Sequence, residues 1–161
     1  MMGSGKSSVG RTLSELTGRP FLDTDLLLQN KLGRTIPQIF QIYGEDAFRD
    51  HENSVLRSLE PAGAVLATGG GIVCQEANWE ELRRLGTTIY LRASFATLLE
   101  RLESSKKKRP LLATESWTDR LSSLLDARRA LYERADMIVD VDGLSLEDAA
   151  SKVLAAVSQR S

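Results

Sequence analysis

Met2-Gly3-Ser4-Gly5-Lys6-Ser7-Ser8, at the start of a chain of 161 residues, decides the fold. Gly5-Lys6-Ser7 matches the second half of the phosphate-binding pattern G-x-x-x-x-G-K-[ST]. Glycines let backbone N–H groups approach an anion closely, and a helix N-terminus favours negative charge. In this pattern Lys6 reaches the β- and γ-phosphates, and the Ser7 hydroxyl binds Mg²⁺. The stretch therefore predicts an ATP-type nucleotide site that extends from Gly3 to Ser8.

The first glycine of that pattern would lie one position before Met1, and so would the apolar strand that feeds such a loop. We therefore expect that the protein starts further upstream and that its first strand is missing from this chain. The alternative is a Gly/Ser-rich N-terminus that merely precedes a helix. The helical spacing of Val9, Leu13 and Leu16 directly after the loop makes this alternative the weaker one.

The composition limits the classes of function. A net charge of −1 argues against a general binder of nucleic acids or membrane surfaces. Cys74 is the single cysteine, so no disulfide can form within the chain, and a reducing compartment suits it. No run of residues approaches the length of a membrane span. We expect one domain, residues 1–161, that is monomeric and cytoplasmic, or plastidic if the source is a plant and a transit peptide was removed.

Strand and helix patterns alternate along the chain. Apolar strands are predicted at Phe21-Leu22 and at residues 64–67, 87–91 and 137–141. Helical spacing covers about residues 6–17, 35–40, 45–59, 75–85, 94–103, 117–131 and from 145 onward. This alternation predicts a mainly parallel sheet with helices on both faces. Ligands in such sheets bind beyond the carboxyl ends of the strands, so segments that follow strands are candidate sites.

Asp23-Thr24-Asp25 directly follows the first predicted strand. If strand geometry continues, both carboxylates point to the same side. Asp23, nearer the sheet, suits Mg²⁺, and Asp25, further out, suits acceptance of a hydroxyl proton. The alternative interpretation is an Asx turn in which Asp25 caps the next helix. This segment alone does not decide between the two.

Gly69-Gly70-Gly71 follows a second predicted strand. A simple turn needs one or two glycines, so three of them favour close approach of the backbone to a ligand. A tight turn between strand and helix is the alternative. Arg49 lies on a predicted helix and could bind a carboxylate through two parallel hydrogen bonds. By itself it is better explained as a solvated residue paired with Glu45 or Glu52.

Residues 104–116 are polar and lack periodicity, so they predict a long loop. Loops of this length in compact domains often act as lids. Within it, Arg109 could meet the phosphates, whereas Lys106 to Lys108 are better explained as a solvated run. Arg128 and Arg129, on the helix that follows, are unremarkable in isolation.

Taken together, the motifs resemble those of the shikimate kinase family along nearly the whole chain. They are the phosphate loop, Phe21-Leu22-Asp23-Thr24-Asp25, Phe48-Arg49, Gly69-Gly70-Gly71, Arg109-Pro110-Leu111-Leu112 and Arg128 with Leu131-Tyr132. The resemblance implies a P-loop NTPase fold with three α/β/α layers and a five-stranded sheet in the order 2-3-1-4-5. It implies ATP-dependent phosphorylation of the shikimate 3-hydroxyl, with Mg²⁺, in aromatic amino-acid biosynthesis, and no nucleic-acid or membrane partner.

The resemblance also implies roles for individual residues. Lys6, Asp25 and Arg109 are expected to be catalytic, and Ser7 and Asp23 to hold the metal. The substrate is expected to be bound by Asp25, Arg49, Gly69, Gly70, Gly71 and Arg128, with residues of about 24–60 forming the substrate-binding helical segment. ATP is expected to contact Gly3, Ser4, Gly5, Lys6, Ser7, Ser8, Arg101 and Arg109, with Arg101 against the adenine. No clear counterpart of the family's late adenine contact occurs near Leu144.

Two other functions stay open at this point. One is another P-loop small-molecule kinase, such as a gluconate kinase. The set of Asp25, Arg49, Gly70 and Arg128 favours a carboxylate-bearing polyol and hence shikimate. The other is a protein of this type that has lost catalysis and acts as a binding module, against which the presence of all expected catalytic side chains argues.

Overall fold

The structure is a computed structural model that describes residues 1–104 and 116–159. Within those ranges the short strands are separated by one or two helices, in broad agreement with the alternation that the sequence pattern predicts. In chain order they are α1 (Lys6–Thr17), β1 (Phe21–Asp23), α2 (Thr24–Leu32), α3 (Ile36–Ser58), β2 (Val65–Ala67), α4 (Glu76–Leu85), β3 (Ile89–Arg92), α5 (Phe95–Glu103), α6 (Trp117–Tyr132), β4 (Met137–Asp140) and α7 (Leu146–Ser158). A 3₁₀ turn, Ile72–Cys74, precedes α4.

The strands pair in parallel, which confirms the α/β class. Phe21 of β1 is in register with Val65 of β2, and Ile89 of β3 with Met137 of β4. Across the described ranges these are two separate two-stranded sheets, and no strand joins them. If the strand expected before Met1 is counted as the first, the two pairs are the 2-3 and 4-5 neighbours of the predicted order. The complete five-stranded order stays a prediction.

Several predicted helix ends are confirmed by their caps. Gly18 ends α1 in the left-handed region, with φ of 65°, where glycine has no steric penalty. The Ser94 hydroxyl accepts a hydrogen bond from the Thr97 N–H at the start of α5, and Ser145 does the same for Asp148 in α7. These side chains satisfy N–H groups that have no partner within the helix.

The two helices predicted between residues 35 and 59 are both present and meet at a kink within the span of α3. The kink lies at Gly44, whose φ of 78° and ψ of 179° interrupt the helix. The rings of Phe40 and Phe48, one on each side of the kink, pack with centroids 4.3 Å apart. Although α3 has 23 residues, neither it nor another helix in the described ranges is long and apolar enough to cross a bilayer.

The buried apolar side chains form two clusters. The larger one joins Val9 of α1 to buried residues of β3, α5, α6, β4 and α7, and it includes Met1. The smaller one packs Leu28 of α2 against Ile39, Phe48 and Val55 of α3. Helix α1 contacts β1 and β2 on one side and α7 on another. It therefore connects the β1-β2 pair to the larger apolar cluster and fixes the position of the phosphate loop that precedes it.

Candidate active site

The phosphate loop adopts a conformation that requires its glycines. Gly3 and Gly5 have φ of 78° and 89°, and Gly5 directly precedes the first helical residue, Lys6. The Lys6 ammonium donates a hydrogen bond to the Met1 carbonyl over 2.6 Å, and the Ser4 hydroxyl donates to the same oxygen over 2.8 Å. The loop is therefore held in a compact turn at the positive end of α1.

Asp23 connects the end of β1 to the phosphate loop. Its Oδ2 accepts a hydrogen bond of 2.6 Å from the Ser7 hydroxyl, and only 8% of the residue is exposed. Its Oδ1 accepts from the backbone N–H groups of Asp25 and Leu26. Asp23 thus caps α2 with one oxygen and contacts the loop with the other.

This cap changes the expected geometry of the Asp23-Thr24-Asp25 segment. The strand does not continue past Asp23, so the condition under which strand alternation would put both carboxylates on one side is not met. The capping residue is Asp23 and not Asp25, since Asp23 satisfies the first N–H groups of α2. Asp25 lies in the first turn of the helix and is partly buried.

The three glycines after β2 form a turn against which other atoms of the protein pack closely. A Cβ at Gly69 would overlap Glu52 Oε1, and one at Gly71 would overlap the Arg49 guanidinium. A Cβ at Gly70 would lie 3.3 Å from the Met2 nitrogen. None of the three has a positive φ. The close approach of protein atoms therefore explains these glycines, and their contact with a ligand stays a prediction.

Hydrogen bonds fix this turn from two directions. The Gly69 N–H donates to the Thr24 hydroxyl over 3.0 Å, which joins the turn to α2. The Tyr132 hydroxyl donates to the Gly70 carbonyl over 2.6 Å, which joins it to α6. The turn consequently connects the segments that contain Asp25 and Arg128.

A charged cluster lies beside the turn. Arg49 forms salt bridges with Glu45, over 3.1 Å, and with Glu52. Burial alone would lower the pKa of Arg49, but the charges and hydrogen bonds of Glu52 and Glu45 raise it. Both pairings that the sequence suggested for Arg49 are therefore present. They do not exclude a ligand, because the guanidinium has five donors.

The sequence suggested Glu52 only as a possible partner of Arg49, although it is the more buried of the two glutamates in this cluster. It is 3% exposed. Burial raises its pKa, Arg49 opposes that shift, and the negative charge of Asp25 raises it further. Its position three residues after Arg49 on the same helix was the available signal, but that spacing is also common in surface ion pairs.

Arg128 brings a second guanidinium to the cluster from α6. It is only 8% exposed. Across residues 1–104 and 116–159 it forms no salt bridge. Its positive charge nevertheless acts to lower the pKa of Glu52 and of the Met1 ammonium. Its neighbour Arg129, by contrast, is exposed and paired with Asp126. Burial therefore distinguishes Arg128 from Arg129, which the sequence alone does not.

The remaining predicted ATP contacts are only partly described. Arg101 donates to the carbonyls of Ser4 and Val141, each over 3.3 Å, so it bridges the phosphate loop and the end of β4. Its contact with adenine stays a prediction, and Ser8 is exposed. Arg109, with the central part of the loop predicted as a lid, lies outside the described residues.

The oxygen atoms of Ser7 and Asp23 fit Mg²⁺. Mg²⁺ prefers oxygen ligands, keeps several waters and usually takes one or two protein groups together with substrate phosphates. In the described part of the chain, no three His, Cys, Asp or Glu side chains form a metal cage. The hydroxyl and carboxylate side by side suit a cation that phosphates also hold.

Comparison with known proteins gives matches along nearly the whole chain. The family model described as shikimate kinase matches residues 2–158. A shikimate kinase of Thermodesulfovibrio yellowstonii is 38% identical over 154 residues, which cover 95% of this chain and 88% of that protein. One from Synechococcus sp. is 43% identical over 155 residues, 96% of this chain and 79% of that protein.

Solved structures match the fold as closely. The shikimate kinase of Acinetobacter baumannii, solved in complex with shikimate, superposes with a TM-score of 0.91 at 39% identity. The match covers 99% of this chain and 89% of that one. The shikimate kinase of Aquifex aeolicus gives a TM-score of 0.84 at 35% identity over 99% of this chain and 94% of that one.

Proposed function

The chain belongs to the shikimate kinase family and is an ATP-dependent kinase that acts on a shikimate hydroxyl, and on this premise we propose how its residues share the reaction. The acceptor is the 3-hydroxyl, and the products are shikimate 3-phosphate and ADP. The reaction belongs to aromatic amino-acid biosynthesis.

Arg128 and Arg49 hold the substrate carboxylate. The observation that supports this assignment best is the burial of Arg128, which is 8% exposed without a salt bridge among the described residues. A buried charge is costly unless it is paired. A carboxylate that binds both guanidinium groups supplies that pairing and fixes the orientation of the ring.

Asp25 and Gly70 hold the hydroxyl side of the substrate. Asp25 lies in the first turn of α2, and its carboxylate approaches the glycine turn, since Oδ1 is 3.1 Å from the position of a Cβ on Gly69. The backbone N–H of Gly70 donates to a substrate hydroxyl, and Gly69 and Gly71 line the same surface. A general base must lie within hydrogen-bond reach of the proton that it accepts, and we propose that Asp25 does so for the substrate hydroxyl.

Lys6 and the N–H groups of Gly3 to Ser8 bind the ATP phosphates. The loop conformation at Gly3 and Gly5 and the positive end of α1 support this role. Lys6 exchanges its hydrogen bond with the Met1 carbonyl for one with phosphate oxygens. We assign Arg109 to the transferred phosphoryl group and Arg101 to the adenine.

Ser7 and Asp23 hold Mg²⁺ with the phosphates. When bound, the ion neutralises charge on the phosphate oxygens. Asp23 keeps a second task, because its Oδ1 caps α2 and so positions the Asp25 that follows. The metal site and the catalytic base therefore depend on the same short segment.

The transfer exchanges one bond of phosphorus for another. The oxygen of the 3-hydroxyl forms a bond to the γ-phosphorus, the bond to the β,γ-bridging oxygen breaks, and ADP leaves with that electron pair. The hydroxyl proton passes to Asp25. Lys6 and Arg109 stabilise the negative charge on the transferring group, which is the main task of a phosphoryl-transfer site.

A coupled ADP-release assay tests the proposal. We expect ADP release that requires both ATP and shikimate, with the product phosphorylated at O3. Release with gluconate and not with shikimate would favour another P-loop kinase, and tight ATP binding without turnover would favour a binding module. We also propose that the enzyme is cytoplasmic and monomeric. A size-exclusion mass near 17.7 kDa is the first check of the monomeric state.

A further inference from the structure

Tyr132 joins two parts of the site to which it has not been assigned. It is the last residue of α6, one helical turn after Arg128, and is 5% exposed. Its hydroxyl donates to the Gly70 carbonyl over 2.6 Å. A single side chain therefore connects the helix that supplies Arg128 to the turn that supplies the Gly70 N–H.

The surroundings of Tyr132 keep the ring in place. It stacks on Tyr90 with centroids 5.1 Å apart and an angle of 21° between the ring planes. On its other side the hydroxyl lies 3.4 Å from the Met1 sulfur. Burial raises the pKa of Tyr132 to about 12, so the hydroxyl stays protonated and able to donate at physiological pH.

The glycine turn needs such a restraint. Glycine has more accessible backbone conformations than other residues, and three in a row leave the direction of an N–H poorly fixed. On one side the Gly69 N–H is held by Thr24. On the other side the Gly70 carbonyl is held by Tyr132. The Gly70 N–H lies between these two restraints, in the peptide plane whose Gly69 carbonyl accepts a longer hydrogen bond of 3.4 Å from the Ile72 N–H. The bond from Tyr132 holds the peptide plane that follows it.

We propose that Tyr132 is a positioning residue for shikimate, setting the Gly70 N–H relative to the Arg128 guanidinium. The inference rests on the roles proposed above for Gly70 and Arg128. The substrate spans the two groups, with its carboxylate on one and a hydroxyl on the other. An error in their spacing weakens substrate binding, while the phosphate loop and Lys6 are unaffected.

The substitution Tyr132→Phe tests this, since it removes the hydroxyl and keeps the ring. The variant loses the hydrogen bonds of the hydroxyl with the Gly70 carbonyl and with Arg128. We expect the KM for shikimate to rise by at least about 2- to 12-fold, which the loss of one hydrogen bond alone predicts. The KM for ATP and kcat should stay within about twofold. Tyr90→Phe is the matched control, because it changes the stacked partner and leaves the bond to Gly70; its kinetics should equal those of the wild type.

The outcomes separate this inference from the proposed function. If wild-type protein does not phosphorylate shikimate, the proposed function fails first. If it does, and Tyr132→Phe lowers only the melting temperature or only kcat, Tyr132 is a packing residue and the inference is wrong. The same conclusion follows if Tyr90→Phe raises the KM for shikimate equally.

Incorporation of 3,5-difluorotyrosine at position 132 gives a second test that does not depend on the folding of the Phe variant. The fluorines lower the phenol pKa, and a phenolate cannot donate to a carbonyl. The KM for shikimate should therefore rise at alkaline pH at which the wild-type KM is still flat. Parallel pH profiles for the two proteins would overturn the inference.

Discussion

The Ser7 hydroxyl donates a hydrogen bond to the Asp23 carboxylate over 2.6 Å, so the first turn of α1 is joined directly to the end of β1. The same carboxylate caps α2 through its other oxygen. The phosphate loop and helix α2, which carries Asp25 in its first turn, are thereby held as one unit. Substitutions at Asp23 should therefore distinguish the contribution of its negative charge from that of its helix cap.

Asp23→Asn is expected to weaken the response to Mg²⁺ while the fold is kept. Asn caps a helix about as well as Asp, so the first turn of α2 should survive. The negative charge that favours the cation is lost. Titration of activity with Mg²⁺ should show a higher half-saturation concentration, with a melting temperature close to that of the wild type. An unchanged Mg²⁺ response would remove Asp23 from the metal site.

Asp25→Asn is expected to reduce kcat by about 10²–10⁴-fold, the usual contribution of a general base. The ATP dissociation constant should change little, because the phosphate loop is left intact. Asp50→Asn, at an exposed position on α3, is the control and should be silent. Steady-state kinetics and ATP titration of both variants make the comparison. Activity of Asp25→Asn within a few-fold of the wild type would contradict the role.

Arg128→Met is expected to raise the KM for shikimate by about 10- to 150-fold, since hydrogen bonds to charged groups contribute about 1.5–3 kcal/mol. The adjacent substitution Arg129→Met provides a close control, because Arg129 is exposed and paired only with Asp126 among the described residues. Kinetics with shikimate as the varied substrate distinguish the two. Equal effects of both substitutions would show that the assignment of the carboxylate site is wrong.

How far the sequence alone could go differs between parts of the site. The phosphate loop was predictable because residue type and spacing there determine backbone conformation, as the positive φ of Gly3 and Gly5 shows. The cap by Asp23 was not, since strand and helix geometry compete within three residues. Burial distinguishes Arg128 from Arg129, and burial depends on packing against distant elements. Glu52 and Tyr132 were missed for the same reason.

Tyr132 should also affect stability at alkaline pH. Its folded pKa of about 12 lies above the ordinary value of 10.0 because the hydroxyl is buried. The stabilisation is therefore complete below about pH 10 and is lost as the pH rises through 12, because the unfolded chain gives up the proton first. A shift of this size corresponds to about 2–3 kcal/mol.

Urea unfolding between pH 8 and 12 measures this loss. Other tyrosines and lysines titrate in the same range, so the informative quantity is the difference between wild type and Tyr132→Phe. The wild type should lose about 2–3 kcal/mol more than the variant over that interval. Parallel curves would mean that the hydroxyl is not buried in solution as it is in the structure.

Addition of an apolar strand that ends in Gly directly before Met1 is expected to raise both stability and ATP affinity. The two strand pairs β1-β2 and β3-β4 form separate sheets in the described residues. An inner strand of a parallel sheet bonds on both sides, and each buried unpaired group costs about 1–3 kcal/mol. Met1 is 2% exposed, and burial, followed by the charges of Lys6 and Arg128, lowers the pKa of its ammonium. An extension replaces that buried amine with a neutral peptide group.

The measurement compares the melting temperature and ATP dissociation constant of residues 1–161 with those of the extended protein. A gain of a few kcal/mol should raise the melting temperature by roughly 5–10 °C in a domain of this size. An extension of equal length made of Gly and Ser is the control, since it moves the terminal amine away from its buried position at Met1 without supplying a strand. If the apolar extension gives the same values as the control, the two strand pairs do not require a strand between them. If all three proteins behave alike, the buried ammonium has no measurable cost either.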